Sequence, residues 1–228
     1  MSIADNLKRI NENIARAAQK SGRKAQDITL IAVTKTVEGQ FLVDNLKVLL
    51  DNGVTNLGEN RAQELTEKRP LLGDAVKWHM IGSLQRNKVR NVVGNVVLIH
   101  SVDSVKLAEE ISRIAVRENV VADVLIEVNI ADEDSKHGIT PENVMALAQE
   151  VTPLPNIAIK GLMTIAPFVD DGEENRVHFR KMSGLFTEMK AAGYDMEFLS
   201  MGMTIDYEVA IEEGANMVRI GTAIFGER

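Results

Sequence analysis

Eight short runs rich in valine, isoleucine and leucine recur along the chain, with amphipathic stretches between them. They read ITLIAV (28–33), VTNLG (54–58), VKWHMIG (76–82), VVLIHSV (96–102), DVLIEVNI (123–130), IAIKGLM (157–163), EFLSMG (197–202) and MVRIG (217–221). Several are almost continuously apolar, the pattern of strands covered on both faces. The stretches between them carry helical spacing. Residues 39–52 place Phe41, Leu42, Asn45, Leu46, Leu49 and Leu50 on helical turns, with Gly53 as a stop. Residues 104–119 do the same with Val105, Leu107, Ala108, Ile111, Ile114 and Ala115. Pro141 opens a helix through PENVMALAQEV, residues 173–192 give a longer one ended by Gly193, and TIDYEVAIEEG gives one with Thr204 as N-cap and Gly214 as stop.

Strand and helix in alternation impose a parallel sheet, because each helix is then a crossover. Eight such units predict a closed (β/α)8 barrel, the TIM-barrel class of α/β fold, as one domain over residues 1–228. A doubly wound open sheet is the alternative, but VTKTVEG after the first strand is not a glycine-rich dinucleotide loop. Ahead of the first strand, Ile3, Leu7, Ile10, Ile14 and Ala17 predict an extra N-terminal helix stopped near Gly22.

Composition removes several function classes. The net charge of −7 argues against a nucleic-acid binder held by bulk electrostatics, and six Phe, two Tyr and one Trp are too few for a base-stacking platform. With no cysteine there is no disulfide and no thiolate metal site. The N-terminus has no signal-peptide apolar core, and no apolar run approaches the ~20 residues that span a bilayer, so a cytoplasmic protein is expected. The acidic run Asp132, Glu133, Asp134 lacks the spacing of a calcium loop, and no metal site is expected.

In such a barrel the functional face lies at the C-terminal ends of the strands. There the first strand ends in Lys35, the second runs into Asn60, and the third carries His79. The loops after strands seven and eight, the usual phosphate site of the fold, hold Ser200, Gly202, Thr204, Gly221 and Thr222. Arg219 lies two residues before Gly221 and so faces the same way. Alone, Lys35 reads as a lysine that snorkels and pairs with an acid such as Glu59. Likewise His79 reads as a hydrogen-bonded core residue, Asn60 as a helix cap, and Arg219 as half of an internal ion pair. Lys136, in DEDSKHG, reads as a solvated loop residue or a second amine near the mouth. An amine opposite a phosphate site, however, suits a phosphorylated aldehyde bound as a Schiff base. Pyridoxal phosphate is one candidate, and the sugar phosphate of an aldolase is another.

AVTKT, LGENRAQE, WHMIGSLQRNK, DSKHGI, GLMTI and LSMGMTIDYEVAIEEGANMVRIGTAIFG, in this order, resemble the pyridoxal phosphate homeostasis proteins, single-domain relatives of the alanine racemase barrel. The match spans about residues 28–226. The resemblance implies that Lys35 carries pyridoxal phosphate as an aldimine. It implies that Ser200, Gly221 and Thr222 hold the phosphate with backbone around Met201 and Gly202, and that Arg219 approaches the pyridine nitrogen. Asn60 and His79 match positions near the cofactor. Thr34, Glu38 and Thr204 depart from the family's usual serine, proline and serine.

A racemase needs acid/base groups on both faces of its substrate. Neither Tyr194 nor Tyr207 is placed to serve with Lys35, and the tyrosine-bearing second domain of racemases is not expected in a chain ending at Arg228. A cation at the pyridine nitrogen would also weaken the ring as an electron sink. The expectation is a monomeric carrier that buffers or delivers pyridoxal phosphate, touching apoenzymes transiently, with no catalytic residues of its own. An amino-acid racemase and a sugar-phosphate aldolase are the alternatives.

Overall fold

The valine- and isoleucine-rich runs do form eight parallel strands, and they close on themselves in sequence order. The computed structural model describes residues 2–131, 133 and 137–226. Lys136, Asp132 and Asp134 lie outside them. The chain begins with α1 (Ile3–Lys20) and β1 (Thr29–Val33), then α2 (Gly39–Asp51), β2 (Asn56–Glu59), α3 (Ala62–Leu72) and β3 (Lys77–Met80). It continues with β4 (Leu98–Val102), α4 (Val105–Glu118), β5 (Ala122–Glu127), α5 (Val144–Val151), β6 (Ile157–Met163) and α6 (Arg176–Ala191). The last two units are β7 (Phe198–Ser200) with α7 (Tyr207–Glu212) and β8 (Met217–Ile220) with α8 (Thr222–Phe225). This is the TIM barrel expected. No helix among the described residues is long and apolar enough to cross a membrane.

Three local expectations are corrected. Only a 3-10 helix, Arg86–Asn91, joins β3 to β4 instead of an α-helix; NKVRN offers one buried apolar residue, Val89, too little for an amphipathic face. α7 begins at Tyr207 behind Asp206 rather than at Thr204, because the Asp206 carboxylate accepts the Met203 N–H at 2.7 Å and shapes the preceding turn. α3 is preceded by Arg61 and not capped by Asn60.

Two cores follow from the alternation of side chains along each strand. Outward-facing residues meet the helices in one continuous layer that includes Leu57, Ile99, Ile126, Leu162 and Val218. Inward-facing Ile31, Leu98, Leu125, Met163 and Met217 form a separate apolar plug inside the barrel. Two residues further toward the mouth the inward positions turn polar: His100 follows Leu98, Glu127 follows Leu125, and Arg219 follows Met217. The N-terminal helix buttresses the units that follow β7 and β8. Asn6 Nδ2 donates to the Ile224 carbonyl at 2.9 Å, Asn13 Nδ2 to the Tyr207 hydroxyl at 2.8 Å, and Lys20 pairs with Glu212 at 2.7 Å. Tyr207 is thus a buried packing residue.

Candidate functional site: a lysine and an arginine at the barrel mouth

A cavity of about 590 Å³ opens at the C-terminal mouth. Lys35 and Thr36 line it from the turn after β1, Arg219 from β8, Gly221 and Thr222 from just beyond β8, and Met203, Thr204, Ile205 and Asp206 from the loop after β7. Pro167, Phe168 and Val169 add an apolar rim after β6. Of the residues singled out in the sequence, Lys35, Thr204, Arg219, Gly221 and Thr222 meet here. Ser200, Gly202, Asn60 and His79 do not reach the cavity wall.

Lys35 is not the last residue of a strand. β1 ends at Val33, and a turn follows in which the Val37 N–H donates to the Thr34 carbonyl at 3.0 Å. That turn lifts Lys35 off the barrel wall and leaves it exposed at the rim rather than desolvated. Its neighbour Thr36 has φ 64°, left-handed backbone that a β-branched side chain adopts only under constraint. Glu59, the acid considered as its partner, accepts instead from Lys68 Nζ at 2.8 Å and from Thr34 Oγ1 at 2.5 Å.

Arg219 is almost fully buried. Its Nη1 donates to Ser200 Oγ at 2.6 Å and its Nη2 to the Thr164 carbonyl at 2.8 Å. Burial lowers its pKa to about 10, opposed by the charges of Glu127 and Asp206, so it stays a cation at neutral pH. Ser200 is the end of a buried chain of hydrogen bonds. His100 Nδ1 lies 3.1 Å from Ser200 Oγ, His100 Nε2 lies 3.1 Å from His79 Nδ1, and His79 Nε2 lies 3.0 Å from Asn56 Oδ1. With both rings neutral, one proton arrangement satisfies every link. Arginine can only donate, and an amide oxygen can only accept. The proton of His79 therefore sits on Nε2, that of His100 on Nε2, and the serine donates to His100 while accepting from Arg219. Burial, reinforced for His79 by Lys77 and for His100 by His79 and Arg219, pushes His79 down to about 3 and His100 well below its ordinary value.

Glu127 sits beside this layer with Oε2 buried and without a hydrogen-bond partner. Burial and the charge of Asp103 raise it to about 7, against the pull of Arg219. Gly202 serves packing: at φ 93° its missing Cβ leaves room for α7, since a Cβ would stand 2.5 Å from that of Ala210. Asn60 is half-buried beyond β2. Sequence reasoning passed over Asn56 and His100, which gain meaning only when three strands bring them into line. Among the described residues no cluster of His, Asp and Glu could hold a metal.

Residues 6–228 match the family model described as alanine racemase, N-terminal domain. The chain is 43% identical over 230 residues to the pyridoxal phosphate homeostasis protein of Aquifex aeolicus, covering 100% of this chain and 99% of that protein. Among solved structures, one described as an unknown protein from Bifidobacterium adolescentis is 38% identical with TM-score 0.90, covering 98% of this chain and 94% of that one. PipY of Synechococcus elongatus, solved with PLP bound, is 32% identical with TM-score 0.79, covering 93% of this chain and 100% of its own. The chain therefore belongs to the alanine racemase N-terminal domain family and, within it, to the pyridoxal phosphate homeostasis proteins.

Proposed function

We propose that this protein holds pyridoxal phosphate reversibly at Lys35 and acts in pyridoxal phosphate homeostasis, as a store or donor and not as a catalyst. The observation that carries the reading is the cavity in which one lysine faces the β7 and β8 loops across a buried arginine. Its donor set suits the molecule: an amine at the rim, a guanidinium on the floor, the hydroxyls of Thr204 and Thr222 and the backbone at Gly221, between the apolar side chains of Val33, Met203 and Ile205. When bound, pyridoxal phosphate supplies an aldehyde carbon that a primary amine captures reversibly.

In this reading Thr204, Gly221 and Thr222 face the phosphate, and Gly202 keeps the Thr204 loop seated on α7. Ser200 and His79 act behind Arg219, fixing its guanidinium without touching the ligand, and Asn60 borders the β2 side. Arg219, a cation at neutral pH, would disfavour a proton on a ring nitrogen facing it. A racemase also needs a second placed base. Tyr207 is buried with its hydroxyl held by Asn13, and Tyr194 does not line the cavity. Relatives that match the full chain carry homeostasis names rather than enzyme names. We further place the protein in the cytoplasm as a monomeric single domain that meets pyridoxal-phosphate-dependent apoenzymes transiently.

The test is exchange of the α-proton of L- and D-alanine in heavy water by the protein loaded with pyridoxal phosphate. A carrier gives no exchange above free pyridoxal phosphate. Exchange with interconversion of the enantiomers would make it a racemase.

A further inference from the structure

A second lysine, in α3, is buried against the turn that carries Lys35. Lys68 is 5% exposed. An ammonium has three protons to donate, and all three are placed. They go to the Thr34 carbonyl, Glu59 Oε1 and Glu64 Oε2, each at 2.8 Å. The acceptors in turn grip both sides of Lys35. Glu59 Oε1 also takes the Thr34 hydroxyl at 2.5 Å, and Glu64 Oε2 also takes the Thr36 N–H at 2.9 Å. The Thr34 carbonyl that receives Lys68 closes the turn through Val37 N–H at 3.0 Å. Lys35 thus occupies the second position of a β-turn whose first and third residues are tied to one buried cation.

The turn needs such a tie. Its third residue, Thr36, sits at φ 64°, where type II turns take glycine or asparagine. Backbone of this kind persists where its surroundings over-determine it, and such places cluster at functional sites. Glu59 is fully buried, and burial raises its pKa against the hydrogen bonds of Lys68 and Thr34. A cation and a carboxylate have therefore been taken out of water at the base of an otherwise exposed loop, an arrangement that contributes little net stability but fixes geometry. Lys68 lines a separate groove on the outer side of the turn, with Val37, Gly39 and Leu71, and is absent from the cavity wall.

We infer that Lys68 is the positioning residue for Lys35: its ammonium, through the Thr34 carbonyl, Glu59 and Glu64, holds the 34–37 turn so that the Lys35 amine is presented to the cavity. The inference rests on the reading of Lys35 as the amine that captures the aldehyde with loss of one water.

The experiment compares two ligands on the full-length protein. Pyridoxal phosphate reports capture by the amine. Pyridoxine 5′-phosphate, an alcohol that no amine captures, reports the rest of the cavity. Lys68→Met combined with Glu59→Gln removes the cation without stranding a buried carboxylate. Glu64→Ala leaves the buried Lys68–Glu59 pair, and frees the Thr36 N–H and one of the three Lys68 protons. For Lys68→Met with Glu59→Gln we expect capture of pyridoxal phosphate to slow at least tenfold. For Glu64→Ala we expect about threefold. Pyridoxine phosphate binding should stay within twofold of wild type in both. A general structural role would weaken both ligands together and overturn the inference, as would wild-type capture by both variants. Lys35→Ala separates this from the reading beneath it. If that variant still captures the aldehyde, the assignment of Lys35 falls. If it does not, while the Lys68 and Glu64 variants behave as wild type, only the positioning role falls.

Discussion

The two cations at the cavity are held in opposite ways. Lys35 is exposed on a turn anchored from below by charges: the buried Lys68 and Glu59, and the half-buried Glu64. Arg219 is itself buried and anchored by neutral groups, through Ser200, His100 and His79 to Asn56. The contrast follows from what each group has to do. An amine that captures and releases an aldehyde must be reachable, so the protein orders its backbone and keeps the side chain exposed. A guanidinium that only lends charge can be immobilised. A neutral chain with one allowed proton arrangement immobilises it without setting a second positive charge beside it.

The largest effect should come from cutting the neutral chain. His100→Leu strands the Ser200 hydroxyl and His79 Nδ1 in the barrel interior, and should lower stability by about 2–4 kcal/mol, read by urea denaturation. A smaller loss than in Glu64→Ala would reverse the comparison, since Glu64 sits in the partly exposed charged cluster.

Acid exposes the same chain. The histidines, neutral when folded, take up protons on unfolding below their ordinary 6.5, so their contribution is full above that pH and is lost as pH falls below it, toward about 3 for His79. Glu127 has the opposite sign. Raised from 4.5 to about 7, it stabilises below 4.5 and loses that contribution as pH rises through about 7. Between 4.5 and 6.5 it therefore offsets one of the two histidines. Glu127→Gln should steepen the fall of stability in that window by about 1.4 kcal/mol per pH unit, measured by denaturation at stepped pH. An unchanged slope would remove Glu127 from the balance.

Ligand preference probes the cavity wall itself. Thr204→Ala with Thr222→Ala should weaken pyridoxal phosphate about tenfold more than pyridoxal, or about 1.4 kcal/mol, in equilibrium titrations. Ser200→Ala, acting through Arg219, should weaken the two alike. The smallest effect belongs to the turn: Thr36→Gly relieves the left-handed φ and should raise stability by about 0.5 kcal/mol. Destabilisation would mean that Thr36 is not constrained there.

How legible all this was in the sequence depended on the range of the interaction involved. The eight strands stood out because strands covered on both faces must be apolar along their length, as LIAV in β1 and VLI in β5 are. The stop signals at Gly53, Gly193 and Gly214 were local and also readable. Lys35, Arg219, Gly221 and Thr222 could be grouped because all lie at or just beyond strand ends at one mouth. Ser200 could not be told from its neighbour Thr204. Both follow the same apolar run, but β7 ends at Ser200 with its side chain turned inward, while Thr204 lies in the loop that faces the cavity. Lys68 was invisible for a different reason: a lysine among Glu64, Glu67 and Arg69 reads as a solvated helix face, and only the packing of α3 under the β1 turn buries it.

The central claim is that Lys35 is the amine at which the aldehyde is held. Borohydride reduction of the protein mixed with pyridoxal phosphate, followed by peptide mapping, tests it directly. A single pyridoxyl group on the peptide containing Lys35, absent from Lys35→Ala together with the yellow absorbance, is the predicted result. A pyridoxyl group found mainly on another lysine, or an undiminished yellow absorbance in Lys35→Ala, would contradict it.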